Sequence, residues 1–358
     1  MRKIIIRVAA SVILSLTVAF FVALPMATKT EKAPDTPAAS ELWEVVDVSK
    51  AEYGYSEMVD DLIELSEKSN GRLTYTAVGE SLDGRKIYAA VLGNRNAEKQ
   101  IVISAGVHAR EYMTSMLVMK HIEYYLCNYD SGEYGGVKYS EIFEEYAFCI
   151  LPMCNPDGIT LVQKGIDGLR DEGLKAKVTN AYISDTTTIA DFEGLSLDEY
   201  LKYWKSNAAG VDLNRNFSTD AWYENRVKKA SFADSRGESP LSEPESRAMA
   251  EYVEELSNPV CSLAIHSRGE IIFFDCDQQD KTPALTLARL VERVNGYSIS
   301  YSTRSVAAFD DWCNLEKNIP SVTVETGISS CPLPIEEFEK IWNDNRDLWA
   351  AVAVLGEY

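Results

Sequence analysis

Histidine is scarce in this chain, three among 358 residues, and cationic side chains are outnumbered: 35 lysines and arginines face 55 aspartates and glutamates, for a formal net charge of -20. The deficit leaves no basic stripe that could track a phosphate backbone, which argues against nucleic-acid binding and against docking on anionic lipid headgroups. None of the seven cysteines (127, 149, 154, 261, 276, 313 and 331) stands in a CxxC pair, so a cysteine-bound structural zinc is not expected. Their odd number leaves at least one outside any intrachain disulfide, and the connectivity is not readable from spacing. From Glu41 onward there is no linker, internal repeat or low-complexity tract, so residues 42–358 are expected to form a single domain.

The N-terminus is composed differently. "MRKIIIR" is a basic start, Val8 to Ala27 is twenty residues without a charge, and the polar "TKTEKAPDTPAAS" follows. Residues 1–27 therefore read as an export segment, either a cleaved signal peptide or a retained anchor. The length suffices for a bilayer at about 20 residues per crossing, and Pro25 would occupy the -3 position of a cleavage after Ala27. No cysteine follows closely enough for a lipid-modified start. Residues 28–41 read as a linker. Basic residues before the span and none inside it place the body outside the cytoplasm, secreted or held by this segment alone. The protein is expected to act as a monomer on a small or peptidic partner.

Past the linker, "YSEMVDDLIELSEKS" has helical spacing at Met58, Leu62, Ile63 and Leu65, and "TSMLVMKHIEYYL" is a second helical pattern. "KQIVISAG", "YAFCILPM", "CSLAIHS" and "PSVTVETG" are short β-branched runs of the kind buried strands show. Alternation of strands and helices implies an α/β fold, a mixed, mostly parallel sheet with helices on both faces. Ligands of such sheets bind beyond the carboxyl ends of the strands. Each chemically loaded motif lies just after one of these runs.

His108 and Glu111 follow the first run, in "ISAGVHAREYMTS", and His266 follows "VCSLAI". Two imidazoles and a carboxylate with one position open is a catalytic-zinc arrangement. The HxxE spacing alone is weak, because a loop histidine and a helix-start glutamate arise without any metal. Further motifs strengthen it: "NPDG" at 155–158, "GVDLNRNF" at 210–217, "HSRGEIIFF" at 266–274, "DDW" at 310–312 and "TVETG" at 323–327. His121 sits on the second helical pattern without a carboxylate at ligand spacing, and a structural role on a polar or partly buried face is expected for it.

In order and spacing these motifs resemble the zinc metallocarboxypeptidase family, from about Tyr55 to the C-terminus. Details such as "GVHAREYMTS" and "HSRGEII" are similar to a bacterial branch that includes γ-D-glutamyl-L-diamino acid peptidases acting on cell-wall stem peptides. The resemblance implies one Zn²⁺ per chain held by His108, Glu111 and His266, with Asp212 orienting His108. It implies Glu325 as general base, and Asn214 and Arg215 as the pair that holds a substrate's terminal carboxylate, with Arg110 also in contact with substrate. Lys205 in "YWK" stands where digestive members carry an arginine that faces the oxyanion, and Tyr301 is the capping tyrosine if its loop carries two extra residues. Asp310, two residues before Trp312, falls at the floor of the pocket for the terminal side chain, where an aspartate favours an amine; pairing with Arg304 at the rim is the competing expectation.

The function these readings imply is a zinc exopeptidase outside the membrane, cutting a peptide or γ-glutamyl amide bond beside a free carboxylate in a peptidoglycan stem peptide. A scavenging carboxypeptidase B-like enzyme on ordinary peptides is the alternative. A non-catalytic peptide-binding relative would be expected to lack a ligand or the base, and this chain has them all.

Overall fold

The computed structural model describes residues 43–274, 283–301 and 305–356. The predicted export segment, the whole of the predicted linker, Cys276 and Arg304 lie outside them. Eight strands form the main sheet: β1 (Leu73–Glu80), β2 (Lys86–Gly93), β3 (Lys99–Ser104), β4 (Tyr146–Leu151), β5 (Pro259–His266), β6 (Ile271–Phe274), β7 (Ser298–Ser300) and β8 (Ser321–Glu325). Their spatial order is β1-β2-β4-β3-β5-β8-β6-β7. The pairs β3/β4, β3/β5, β5/β8 and β6/β7 are parallel, and β1/β2, β2/β4 and β6/β8 are antiparallel. Residues 39–358 make one unit.

The four β-branched runs form the central strands, and they lack a polar alternation because helices cover both faces. Side chains still alternate in direction along each strand. Ile101, Ile103, Phe148, Ile150, Leu263, Ile265, Val322 and Val324 point into one core, shared with helices Tyr55–Lys68, Met113–Cys127, Pro283–Asn295 and Leu348–Leu355. Val102, Cys149, Leu151 and Ala264 point into the other, shared with helices Pro244–Glu254 and Phe309–Glu316. Met58, Leu62 and Leu65 are buried as the helical spacing implies, but Ile63 faces solvent.

Helix Met113–Cys127 is buried almost all round, and that changes the expectation for His121. It lies on no polar face. Its Nδ1 is 2.9 Å from the Leu117 carbonyl and its Nε2 2.9 Å from the Asn345 carbonyl, and its ring stacks on Trp349. It ties this helix to the C-terminal ones. No helix among the described residues is long and apolar enough to cross a membrane.

Candidate metal centre

Parallel pairing brings the ends of β3, β4, β5 and β8 to one edge. Register places Glu325 beside His266 and Ser104 beside both Ala264 and Leu151. The chain then turns sharply after β3. Gly106 adopts φ +62°, and a Cβ there would lie 2.5 Å from Ser115 Oγ, so only glycine fits. His108 and Glu111 follow at once.

"NPDG" fastens this edge. Asn155 caps helix Pro156–Lys164 by accepting from the Gly158 N–H at 3.0 Å. Its Nδ2 donates to the Val107 carbonyl at 3.0 Å and the Ser206 carbonyl at 3.1 Å. One buried amide thus ties the segment carrying His108 to the segment carrying Lys205. The Ala109 N–H adds a bond to the Lys205 carbonyl at 3.1 Å.

His108, Glu111 and His266 are all buried and converge. His108 Nδ1 is 2.9 Å from Glu111 Oε1, His266 Nδ1 is 3.0 Å from Glu111 Oε2, and the two Nδ1 atoms are 3.2 Å apart. Donor atoms about 2 Å from a tetrahedral zinc are roughly 3.3 Å from one another, so these residues would fit around one such ion. Two imidazoles and a carboxylate are also a suitable donor set. The Ser267 N–H donates to Glu111 Oε2 at 3.1 Å, fixing the carboxylate.

Asp212 stands behind His108, its Oδ1 3.3 Å from Nε2. It accepts from the N–H groups of Asn214 and Asp234. Burial alone would raise its pKa, but the charges of His108 and Arg215 outweigh this and hold it well below the usual carboxylate range. Asn214 plays a part the motif did not reveal: its Nδ2 lies 3.2 Å from His266 Nε2 and its Oδ1 accepts from the Phe309 N–H at 3.2 Å. Both ends of the amide face protein groups, and the residue braces the second histidine.

Glu325 ends β8 with Oε2 buried and without a hydrogen-bond partner among the described residues. Burial, then the charge of Glu111, pushes its pKa up to about 7. Lys205 Nζ lies 4.0 Å from Glu111 Oε1, so the lysine faces the cluster. Arg215 donates from NH1 to the Asn214 carbonyl at 2.8 Å and pairs through NH2 with Asp234 at 3.1 Å. Arg110 reaches along the same loop, NH1 donating to the Tyr203 carbonyl at 3.3 Å, and its Nε is buried without a partner among the described residues.

Asp310 is buried in the first turn of helix Phe309–Glu316, not at a rim. Burial, then the neighbouring charge of Asp311, raises its pKa to about 7. Asp311 is occupied otherwise, accepting from the Val306 and Ala308 N–H groups. Tyr301 is more than half exposed and packs edge-on against Phe274. That is the ring contact the structure shows for it.

A sheet of this order with two histidines and a glutamate at its carboxyl edge defines a metallopeptidase of the carboxypeptidase type. The family model described as zinc carboxypeptidase matches residues 58–348, and the chain belongs to that family. It is 30% identical over 312 residues to the γ-D-glutamyl-L-diamino acid endopeptidase 1 of Lysinibacillus sphaericus, covering 86% of this chain and 74% of the relative. It is 26% identical over 260 residues to carboxypeptidase B of Astacus astacus, covering 68% and 75%. Among solved structures, thrombin-activatable fibrinolysis inhibitor superposes with a TM-score of 0.65 at 18% identity, covering 88% of this chain and 79% of that one. The chain is a zinc-dependent peptide hydrolase.

Proposed function

We propose that this hydrolase is an extracytoplasmic exopeptidase that cuts a peptide or γ-glutamyl amide bond beside a terminal residue with a free carboxylate, in cell-wall stem peptides, and that it favours an amine-bearing terminal side chain. The observation that carries the chemistry is the Glu325 carboxylate, buried and unpartnered at Oε2 beside the three ligand residues. A buried polar atom with no partner in the protein calls for an explanation, and a carboxylate beside three metal-ligand residues is placed to exchange a proton with a reactant. The stem-peptide substrate is supported by the printed activity of the Lysinibacillus relative. The export segment supports the location.

His108, Glu111 and His266 would hold the zinc, which supplies Lewis acidity to a carbonyl and lowers the pKa of a water. Glu325 takes the proton of the attacking water and returns it to the leaving amine, a role suited to a carboxyl whose pKa lies near neutrality. Lys205 presents a positive charge to the oxyanion as it develops. Arg215 receives the terminal carboxylate. Asp310, buried with its pKa raised to about 7, gains an ionised partner when an amine enters.

The test is kcat/KM for a γ-D-glutamyl-diamino acid stem peptide and for ordinary peptides ending in Lys or Leu, with wild type and Asp310→Ala. The stem peptide should be the best substrate, and Lys should exceed Leu by a margin that Asp310→Ala removes. Faster turnover of ordinary peptides would make the enzyme a scavenging carboxypeptidase. A Leu preference, or a Lys preference that survives the substitution, would remove Asp310 from the pocket.

A further inference from the structure

Asp234 lies in none of the sequence motifs, yet it touches two residues of the site at once. Its backbone N–H donates to Asp212 Oδ2 at 3.0 Å, and the Asp212 N–H donates to the Ser235 carbonyl at 2.9 Å. The turn at 234–235 is therefore docked on Asp212 from both sides. Next to it, the Arg236 guanidinium lies 3.7 Å over the Trp222 ring and donates to the Trp222 carbonyl. Asp234 itself takes φ +63°, a left-handed conformation that Asp and Asn tolerate better than most residues. The backbone is held firmly. The carboxylate is not, since 60% of the side chain is exposed, and the contact the structure shows for it is with Arg215.

We infer that Asp234 is a resident counter-ion on the carboxylate clamp, one with which the terminal carboxylate of a substrate must compete. This rests on the reading of Arg215 as that clamp. A guanidinium offers its best contact to a carboxylate through two N–H groups side by side. Arg215 has committed NH1 to the Asn214 carbonyl, and Asp234 stands on NH2. These contacts use one N–H on each of two nitrogens, so an incoming carboxylate at that fork shares NH2 with Asp234 and meets a charge already neutralised. Exposed ion pairs are weak, so the competition is modest. By neutralising the arginine, Asp234 lowers the affinity for anions that offer nothing more than charge.

The sign of one substitution decides the matter. Asp234→Asn keeps the left-handed backbone and its N–H, and removes the competitor. KM for a peptide with a free terminal carboxylate should fall about two- to fivefold, the range of an exposed ion pair, and the effect should lie in KM and not in kcat. The inhibition constant of free lysine should fall by the same factor. The gain should shrink at 0.5 M salt, where exposed charges are screened, and vanish in an Arg215→Ala background. Unchanged zinc content and melting temperature would show that the contact with Asp212 survives. A KM that rises or stays level in Asp234→Asn overturns the proposal and makes Asp234 a fixed support for the arginine. If Arg215→Ala leaves the preference for a free over an amidated terminus intact, the clamp reading itself fails, a distinct result from the first.

Discussion

Two clusters of buried charge lie near the same end of the sheet, and they are built differently. In the first, Arg85 donates from NH1 to Asp83 at 2.6 Å and Asp157 at 2.8 Å, and from NH2 to the Gly168 carbonyl at 2.7 Å. Asp157 also accepts from Ser81 Oγ and the Asp83 N–H, and Asp83 from the N–H groups of Arg170 and Asp171. Both oxygens of both aspartates are met. In the second, Glu325 Oε2 has no partner among the described residues, and His108, Glu111 and His266 turn their ligand atoms toward one point. A closed network of buried charges holds a fold together, whereas an open one marks where something else binds. The comparison also divides the "NPDG" motif: Asp157 belongs to the closed cluster, and Asn155 braces the open one.

Substitutions in the open cluster should remove chemistry and leave the fold. Glu325→Gln is expected to lower kcat by about 10²- to 10⁴-fold while zinc content stays at one per chain; near wild-type kcat would show that another group moves the proton. His266→Ala, which deletes a ligand, should lose the metal as well. The closed cluster should respond in the opposite way. Asp157→Ala removes one of the two carboxylates on a buried guanidinium and the acceptor of Ser81 Oγ and the Asp83 N–H, and should cost about 1 to 3 kcal/mol of stability, read by denaturant titration, while kcat per folded, zinc-loaded molecule holds. If activity per folded molecule fell as far as with Glu325→Gln, the two clusters would not be separable.

Glu245 lies between them and gives the smallest effect. It accepts from the Leu82 N–H and from Asn207 Nδ2, and burial followed by the charge of Asp157 raises its pKa from 4.5 to about 8. A carboxyl whose folded pKa is raised binds more protons folded than unfolded. Its stabilisation is full below pH 4.5 and is lost as pH rises toward 8. The slope is at most about 1.4 kcal/mol per pH unit for one proton. Glu245→Gln should flatten that part of the stability–pH curve, and an unchanged slope would assign it to other groups.

The sequence made the centre of the sheet legible and left its margins obscure. Strands β3, β4, β5 and β8 are continuous apolar runs because both of their faces are covered, and such runs stand out. Strands β6 and β7 are short, and what defines them is pairing with residues far along the chain. The ligand residues were readable because each follows a strand run and sits in a motif. The bracing of His266 by Asn214, and the contacts of Asp234 with Asp212 and Arg215, span distances in sequence that no local pattern encodes. Burial of Asp310 was legible only through the family resemblance, since an aspartate in the first turn of a helix reads locally as an exposed cap.

Strand β8 lies between β5 and β6, both of which precede it in the chain. The sheet cannot close at its centre until this late segment is inserted, and Glu325 is its last residue. A chain cut short before that strand would carry His108, Glu111 and His266 but not Glu325. The residues gathered at this edge thus come from segments far apart along the domain, from His108 to Glu325.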